Sequence, residues 1–325
     1  MLGVSRAVNH DREAARHRAT RLGAYAATWI IWGSTYLAIR VAVQSVPPFL
    51  LAGVRSVVAG SILVGWALAR GDARPGRAQV IAGVVTGAMF FLIGHGGLFW
   101  AEQRVASGPA ALMIATEHLW LLLAGAALGT VAVAGRAWAG VAVGLSGVAL
   151  LTLGGTARGG VDRLGAAVLL VASLAWSLGT LYYTGPRKPK SQAFAAGIPL
   201  VGGGVLLLAA SVAAGEPWRF SLAQVEPRAV VGLLYLITFG SVVAFTAYNW
   251  LVEREGPGRA LSFTYVNPLV AVLLGTLLLD EPLTSRIMVA AAAIVGAVEL
   301  IIGGTGPQPL STAATARITG ESGPT

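Results

Sequence analysis

Two ionisable side chains, Glu117 and His118, stand side by side about ten residues into an apolar stretch that runs from 107 to 130. A carboxylate at the centre of a lipid-crossing helix costs about 2.5–3.5 kcal/mol even on insertion scales. Glu117 is therefore expected to face a bundle interior or a watery cavity. Two chemistries suit it there: contact with a polar solute, or uptake and release of a proton as proton coupling requires. A packed, Arg-paired carboxyl is the structural alternative. His118 projects about 100° away from its neighbour, as a second polar contact or a hydrogen-bonded packing group. His95, Phe99 and Glu102 recur at i, i+4 and i+7 on one helix face. Glu102 falls near the end of its stretch, where hydration is expected. Arg55 lies roughly 10 Å inside another apolar stretch by helical rise. It could counter Glu117, hold an anionic group, or snorkel to the interface, and a structural or charge-pairing role is favoured.

Aromatic and amide groups supply the remaining candidates for a solute-binding wall. Trp32 and Tyr36 are four apart, Trp176 and Thr180 repeat that spacing, and Tyr248–Asn249 and Tyr265–Asn267 follow. Binding sites for small solutes combine apolar walls with a few placed polar groups. Pro268 removes a helix hydrogen bond and is expected to kink or hinge its segment. Other chemistries lack their residues. There is no cysteine, and the four histidines show no HExxH spacing, so neither a metal nor another cofactor is expected. No GxSxG elbow and no GxxxxGK[ST] loop occurs, which disfavours a membrane-embedded hydrolase and a nucleotide-driven pump.

The elements that must carry these groups are membrane helices. Of the 325 residues 55% are hydrophobic and only 11% charged, against the roughly 25% charge of a soluble domain. Apolar stretches long enough to cross about 30 Å of hydrocarbon fall near 22–43, 48–69, 78–100, 107–130, 136–154, 163–184, 192–213, 229–251, 258–279 and 283–303. The expected fold is an all-α polytopic membrane protein of ten transmembrane helices. Residues 1–21 form a basic tail, and the Pro/Ser/Thr/Gly-rich residues 305–325 are expected to be disordered. Alternate loops and both tails hold 15 Lys and Arg against 7 on the opposite side. The positive-inside rule then places both termini in the cytoplasm. The +9 net charge is accordingly a topology signal, and the expected partners are a lipid bilayer and a small molecule, with no nucleic acid.

An internal repeat organises the ten stretches. At an offset of 150, Trp100 meets Trp250, Arg104 meets Arg254, Gly108 meets Gly258 and Arg136 meets Arg286. Trp32 in IIWGSTYLAIR pairs with Trp176 in LAWSLGTLYYT at an offset of 144. Two units of five helices, 22–155 and 162–304, are predicted. Five is odd, so the second unit enters the membrane from the opposite side, and an inverted repeat lets one central site face each side in turn.

At these residues the chain resembles a known family. WGSTYLAIRVAVQSVPPFLLAGVRSVVAG is similar to the opening of an EamA repeat of the drug/metabolite transporter superfamily. The stretch from WSLGTLYYTG to AYNWLVEREGPGRALSFTYVNPLVAVLLGTLLLDEPL resembles a second one. The resemblance implies two inverted five-helix EamA repeats, a cavity between them, a bacterial-type cytoplasmic membrane, and export of amino acids, metabolites or toxic compounds. The first repeat departs from the pattern. Glu117–His118 stands where the second repeat has Asn267–Pro268, and GTVAVAG (129–135) replaces the acidic closure Asp280–Glu281–Pro282. The expected function is a secondary transporter exporting a small organic solute by alternating access, with Glu117 as the proton-coupling candidate. A non-transporting sensor or assembly subunit on the same fold is the main alternative, and a membrane-embedded enzyme the lesser one.

Overall fold

The structure, a computed structural model, describes residues 18–127, 135–153, 162–260 and 262–304, and at 257, 258, 265 and 302–304 the backbone only. Residues 1–17 and 305–325, and all but the last residue of GTVAVAG (129–135), lie outside the described residues. Every regular element among the described residues is helical. They are α1 (18–42), α2 (Pro48–Ala69), α3 (Arg77–Ala101), α4 (Ser107–Ala127), α5 (Gly135–Thr152), α6 (Arg163–Tyr182), α7 (Gln192–Ala213), α8 (Pro227–Glu255), α9 (Phe263–Leu279) and α10 (Ser285–Gly304). Seven of these, α2 to α8, are long and apolar enough to cross a membrane, and α9 contains a shorter apolar run, Val266–Leu279. Large apolar side chains such as Ile62, Trp66, Val171, Leu234 and Leu277 are exposed on the bundle's outside. In lipid that exposure carries no hydrophobic cost.

Local sequence explains where the helices begin. Proline opens α2 and α8, where its missing N–H is not needed. The Asp162 carboxylate accepts from the Gly165 N–H (2.8 Å) at the start of α6, and the Ser191 hydroxyl accepts from the Phe194 N–H (3.3 Å) at the start of α7. Loops 43–47, 102–106, 214–226 and 280–284 gather on one face. There Glu216 accepts from the N–H groups of Phe49 (3.2 Å) and Leu50 (2.8 Å), and Arg40 donates to the Glu102 carbonyl. Loops 70–76 and 183–191 meet on the other, where Ser191 donates to Asp72 (2.6 Å), and Lys188 donates to the Asn249 carbonyl of α8 (3.3 Å).

Close packing pairs each scaffold helix of one half with its counterpart in the other. A Cβ on Gly53 would sit 2.7 Å from Leu208, and one on Gly197 would sit 2.8 Å from Val64. Those two contacts are one contact seen twice, because 53 and 197, like 64 and 208, are 144 apart. The helices α2 and α7 thus cross antiparallel about a local two-fold. The same holds for α5 and α10 at an offset of 150. A Cβ on Gly140 would meet the Ala297 carbonyl at 2.8 Å, and one on Gly147 the Ala290 carbonyl at 3.2 Å. Small residues let backbones approach this closely where lipid supplies no hydrophobic drive between helices. The remaining helices exchange partners: α3 and α4 pack on α6, while α8 and α9 pack on α1.

Three π-helical segments break the regular α-helix, Ala27–Ile31 in α1, Ala88–His95 in α3 and Leu236–Val243 in α8. The last two occupy related places in the two halves. Such widened turns leave carbonyls available to other groups and recur at functional sites. A second surprise is in α4 and α9. The helix α9 runs unbroken through Pro268, whereas α4 is interrupted at Ala115–Thr116, where no proline stands. Thr116 explains this locally, since its hydroxyl takes the Met113 carbonyl (2.7 Å) and competes with the helix. Serines of α6 hold the break, with Ser173 bonded to Thr116 (2.9 Å) and Ser177 donating to the Glu117 carbonyl (2.8 Å).

Candidate functional site

Where the two halves meet, helices α1, α2, α3, α4, α6 and α9 enclose a cavity of about 50 Å³, room for a few water molecules. Its polar lining is Trp32, Thr35, Tyr36, Arg55, His95, Glu117, Trp176 and Asn267, and its apolar lining includes Ile39, Leu98, Ile114 and Phe263. The break in α4 puts Glu117 at the first position of a new helical segment. The Glu117 side chain is buried, and its Oε2 has no hydrogen-bond partner. Arg55 is 2% exposed, so it does not snorkel. Its Nε donates to Ser241 Oγ (2.8 Å) in the α8 π-segment, its guanidinium lies over the Phe99 ring at 5.6 Å, and its Nη1 is unpartnered. No carboxylate lies within 4.0 Å of it among the described residues. Of the roles open to Arg55 from sequence, the ion pair with Glu117 is therefore not formed in this conformation. His95 Nδ1 and Asn267 Oδ1 are likewise buried without partners.

Burying a polar group without a hydrogen bond typically costs about 1–3 kcal/mol. Arg55, His95, Glu117 and Asn267 all carry such an atom, and all four line one small cavity. A cation and a carboxyl without mutual contact, together with an acceptor and an imidazole, leave hydrogen-bonding capacity of both signs for a guest.

The wall around them is aromatic. The Trp32 ring meets Phe263 (4.6 Å between centroids), Tyr248 (5.3 Å) and Trp176 (5.9 Å). Its Nε1–H donates to the Gly240 carbonyl (2.9 Å) in the α8 π-segment. Trp176 is stacked between Phe90 (4.3 Å) and His95 (5.4 Å), both from the α3 π-segment. The two related π-segments thus place the groups that fix the two related tryptophans.

Of the residues singled out by sequence, Trp32, Tyr36, His95, Glu117, Trp176 and Asn267 line the cavity. Arg55, for which the sequence favours a structural or charge-pairing role, joins them in the lining. Four others stand outside the lining, each with its polar group engaged or its ring packed. His118 Nδ1 bonds Thr264 Oγ1 (2.7 Å), tying α4 to α9. Thr180 bonds the Trp176 carbonyl and the Tyr248 hydroxyl (both 3.0 Å), and Tyr248 packs behind Trp32. The Asn249 amide donates to the Phe245 carbonyl (2.9 Å) of its own helix. The Tyr265 side chain lies outside the described residues. Glu102 corrects another expectation, being fully buried instead of hydrated, with neither carboxylate oxygen hydrogen-bonded. It follows the last residue of α3, and burial pushes its carboxyl well above the usual range, against the opposing pull of Arg40. Sequence reasoning missed Thr35 and Phe263 in the lining, and the rings of Phe90, Phe91 and Phe245 that pack around Trp176 behind it. In apolar helices nothing in the type or spacing of a phenylalanine marks it for either place.

Comparison with known proteins settles the family. A model of the EamA-like transporter family matches twice, at residues 22–153 and 163–303. The chain belongs to the EamA-like transporter family. This EamA-like transporter is 38% identical over 280 residues to the uncharacterized inner membrane transporter YedA of Escherichia coli (strain K12), covering 86% of this chain and 89% of the relative. It is 24% identical over 271 residues to a probable amino-acid metabolite efflux pump of the same organism, covering 78% and 85%. A crystal structure of a protein 19% identical superposes with a TM-score of 0.61, covering 87% of this chain and 97% of its own, and shares the fold. Among the described residues no three His, Cys, Asp or Glu side chains gather as a metal site.

Proposed function

We propose that this membrane transporter is a secondary exporter of a small zwitterionic organic solute, such as an amino acid, working by alternating access. One observation carries the reading: a buried guanidinium and a buried carboxyl, not paired with each other, both line an aromatic-walled cavity between the two halves. Arg55 suits the carboxylate of such a solute, Glu117 and Asn267 Oδ1 suit its ammonium, and Trp32 and Trp176 its apolar body. Its volume of about 50 Å³ holds only a few water molecules, so loading a solute requires the bundle to open. The antiparallel register of α2 with α7 and of α5 with α10 supports ten spans in two inverted repeats. The charge bias of the loops supports cytoplasmic termini. The names of the relatives above support an inner-membrane location and the outward direction. Glu117 is the proposed proton-coupling group.

The test is an untargeted comparison of culture medium from cells expressing the native chain, Glu117→Gln or an empty vector. Expected is a class of zwitterionic metabolites that accumulates only with the native chain, while the variant is present in the membrane in equal amount. Three identical media would contradict export of the host's own solutes. Coupling through Glu117 fails if Glu117→Gln transports at the native rate and responds to a pH gradient as the native protein does.

A further inference from the structure

We infer that Glu281 is the latch of the outer gate, holding α4 against α9 on the extracytoplasmic face by a charged clasp that the repeat does not reproduce at the cytoplasmic end of the same pair. The inference rests on the alternating-access reading above and names the device that controls entry to that site. At the end of α9, Asp280 adopts a left-handed backbone conformation (φ 52°), a conformation Asp tolerates better than most residues. The chain reverses there, and the Glu281 N–H returns to the Gly275 carbonyl (3.1 Å). The Glu281 carboxylate is thereby aimed at the first turn of α4. It accepts from the Ser107 N–H (2.9 Å), the Ser107 hydroxyl (2.8 Å) and the Gly108 N–H (3.3 Å). A carboxylate on the free N–H groups of a helix start gains both charge-assisted bonds and the helix dipole. Gly275 is part of the device, since a Cβ there would sit 2.4 Å from Glu281 Oε2 and 2.6 Å from Ser107 Oγ. A cavity of about 230 Å³ lined by Arg40, Gln44, Arg228 and Glu281 adjoins the clasp, so water is at hand to replace the bonds when they part.

The repeat shows that this clasp is one-sided. At the α2/α7 pair the acid clasp occurs on both faces: Glu216 caps α2, and Asp72, its counterpart 144 residues earlier, takes the hydroxyl of Ser191 at the start of α7. At the α4/α9 pair the counterparts 150 residues away are Val131 for Glu281 and Pro257 for Ser107. Valine has no acceptor in its side chain and proline has no N–H to give. These two equivalent positions lack both halves of the acid clasp by composition, and on that side α4 and α9 are joined by the neutral His118–Thr264 bond instead. An exporter whose outer gate is held by a charged clasp and whose inner gate is held by a neutral bond loads from the cytoplasm, which fits the proposed direction.

The natural chain has no cysteine, so a single Ile114→Cys on the central cavity reports access to the site. Labelling by a membrane-impermeant maleimide is followed in right-side-out and inverted membrane vesicles, in otherwise native, Glu281→Gln, Gly275→Ala and Asp72→Asn backgrounds. Each protein is checked as monodisperse after extraction. Expected is labelling from the outer side about tenfold faster with Glu281→Gln, the factor that 1.4 kcal/mol represents. A similar rise is expected with Gly275→Ala and none with Asp72→Asn. Equal outer-side rates in all folded backgrounds would overturn the latch. Absence of labelling from either side in every background would overturn it together with alternating access, and so separates the two failures.

Discussion

The helix pairs α2/α7 and α4/α9 were built from the same repeat and have diverged differently. In α2/α7 each contact has its mirror: Gly53 on Leu208 and Gly197 on Val64, Gly60 on Val201 and Gly204 on Val57. In α4/α9 the mirror fails at each polar position. Glu117–His118 faces Asn267–Pro268, Glu281 has no acidic counterpart, and the helix break falls in α4 although the proline is in α9. Packing between backbones tolerates only small residues, so it keeps the two-fold. A site that must recognise an asymmetric solute, and a gate that must open on one side at a time, gain from losing it. The scaffold and the working parts can therefore be told apart by where the two halves still match.

The largest expected effect tests the symmetric pair. In Gly60→Val a side chain would meet the Val201 backbone nitrogen 2.7 Å from its Cβ. The cost should exceed the about 1–3 kcal/mol of ordinary overpacking, because backbone cannot rotate away. Loss of monodisperse protein on gel filtration is expected, while Gly65→Ala, whose Cβ would meet nothing within 4 Å, should behave as the native chain. A stable Gly60→Val protein would break the distinction between scaffold and site.

Next come the unmatched charges. Glu117→Gln and Arg55→Gln should each keep the fold and lower transport about tenfold or more, as loss of a hydrogen bond to a charged group worth about 1.5–3 kcal/mol implies. Asn249→Ala, whose amide bonds its own helix, should change transport less than about threefold on the same scale. A smaller effect is expected from Trp32→Phe, which keeps a ring but removes the N–H donated to Gly240. A single neutral hydrogen bond is worth about 1 kcal/mol, hence roughly a fivefold loss in transport rate.

The smallest effect is a pH-dependent stability. The Glu102 carboxyl is raised above the ordinary 4.5 by burial, so between 4.5 and its folded value the native state binds more protons than the unfolded chain. Stability then falls as pH rises through that window. Glu102→Gln should therefore raise Tm at pH 8 and leave it nearly unchanged at pH 4.5, as read by thermal scanning in detergent. An equal gain at both values would remove the role assigned to burial.

Much of the fold was legible because membrane helices announce themselves by length and hydropathy, and because the 144 and 150 offsets return in the α2/α7 and α5/α10 registers. Trp32 and Trp176 were legible for the same reason, since a matched tryptophan in each half stands out. Less could be read at three places. The Thr116 break depends on serines of α6 that are 57 and more residues away. The Glu281 clasp closes over 174 residues. Asn249 and Thr180 looked like cavity groups by type, but their bonds are satisfied by their own helices and by Tyr248, which spacing along one helix does not reveal.

If a zwitterion crosses through the Arg55–Glu117 cavity, the purified protein must exchange one. Counterflow in proteoliposomes of the purified protein tests it most directly, with vesicles loaded with a mixture of unlabelled amino acids and each radiolabelled counterpart supplied outside. At least one zwitterionic solute should accumulate transiently with the native protein, and Glu117→Gln and Arg55→Gln should abolish the accumulation while remaining folded. Equal accumulation in all three proteins, or none with the native one, would contradict it.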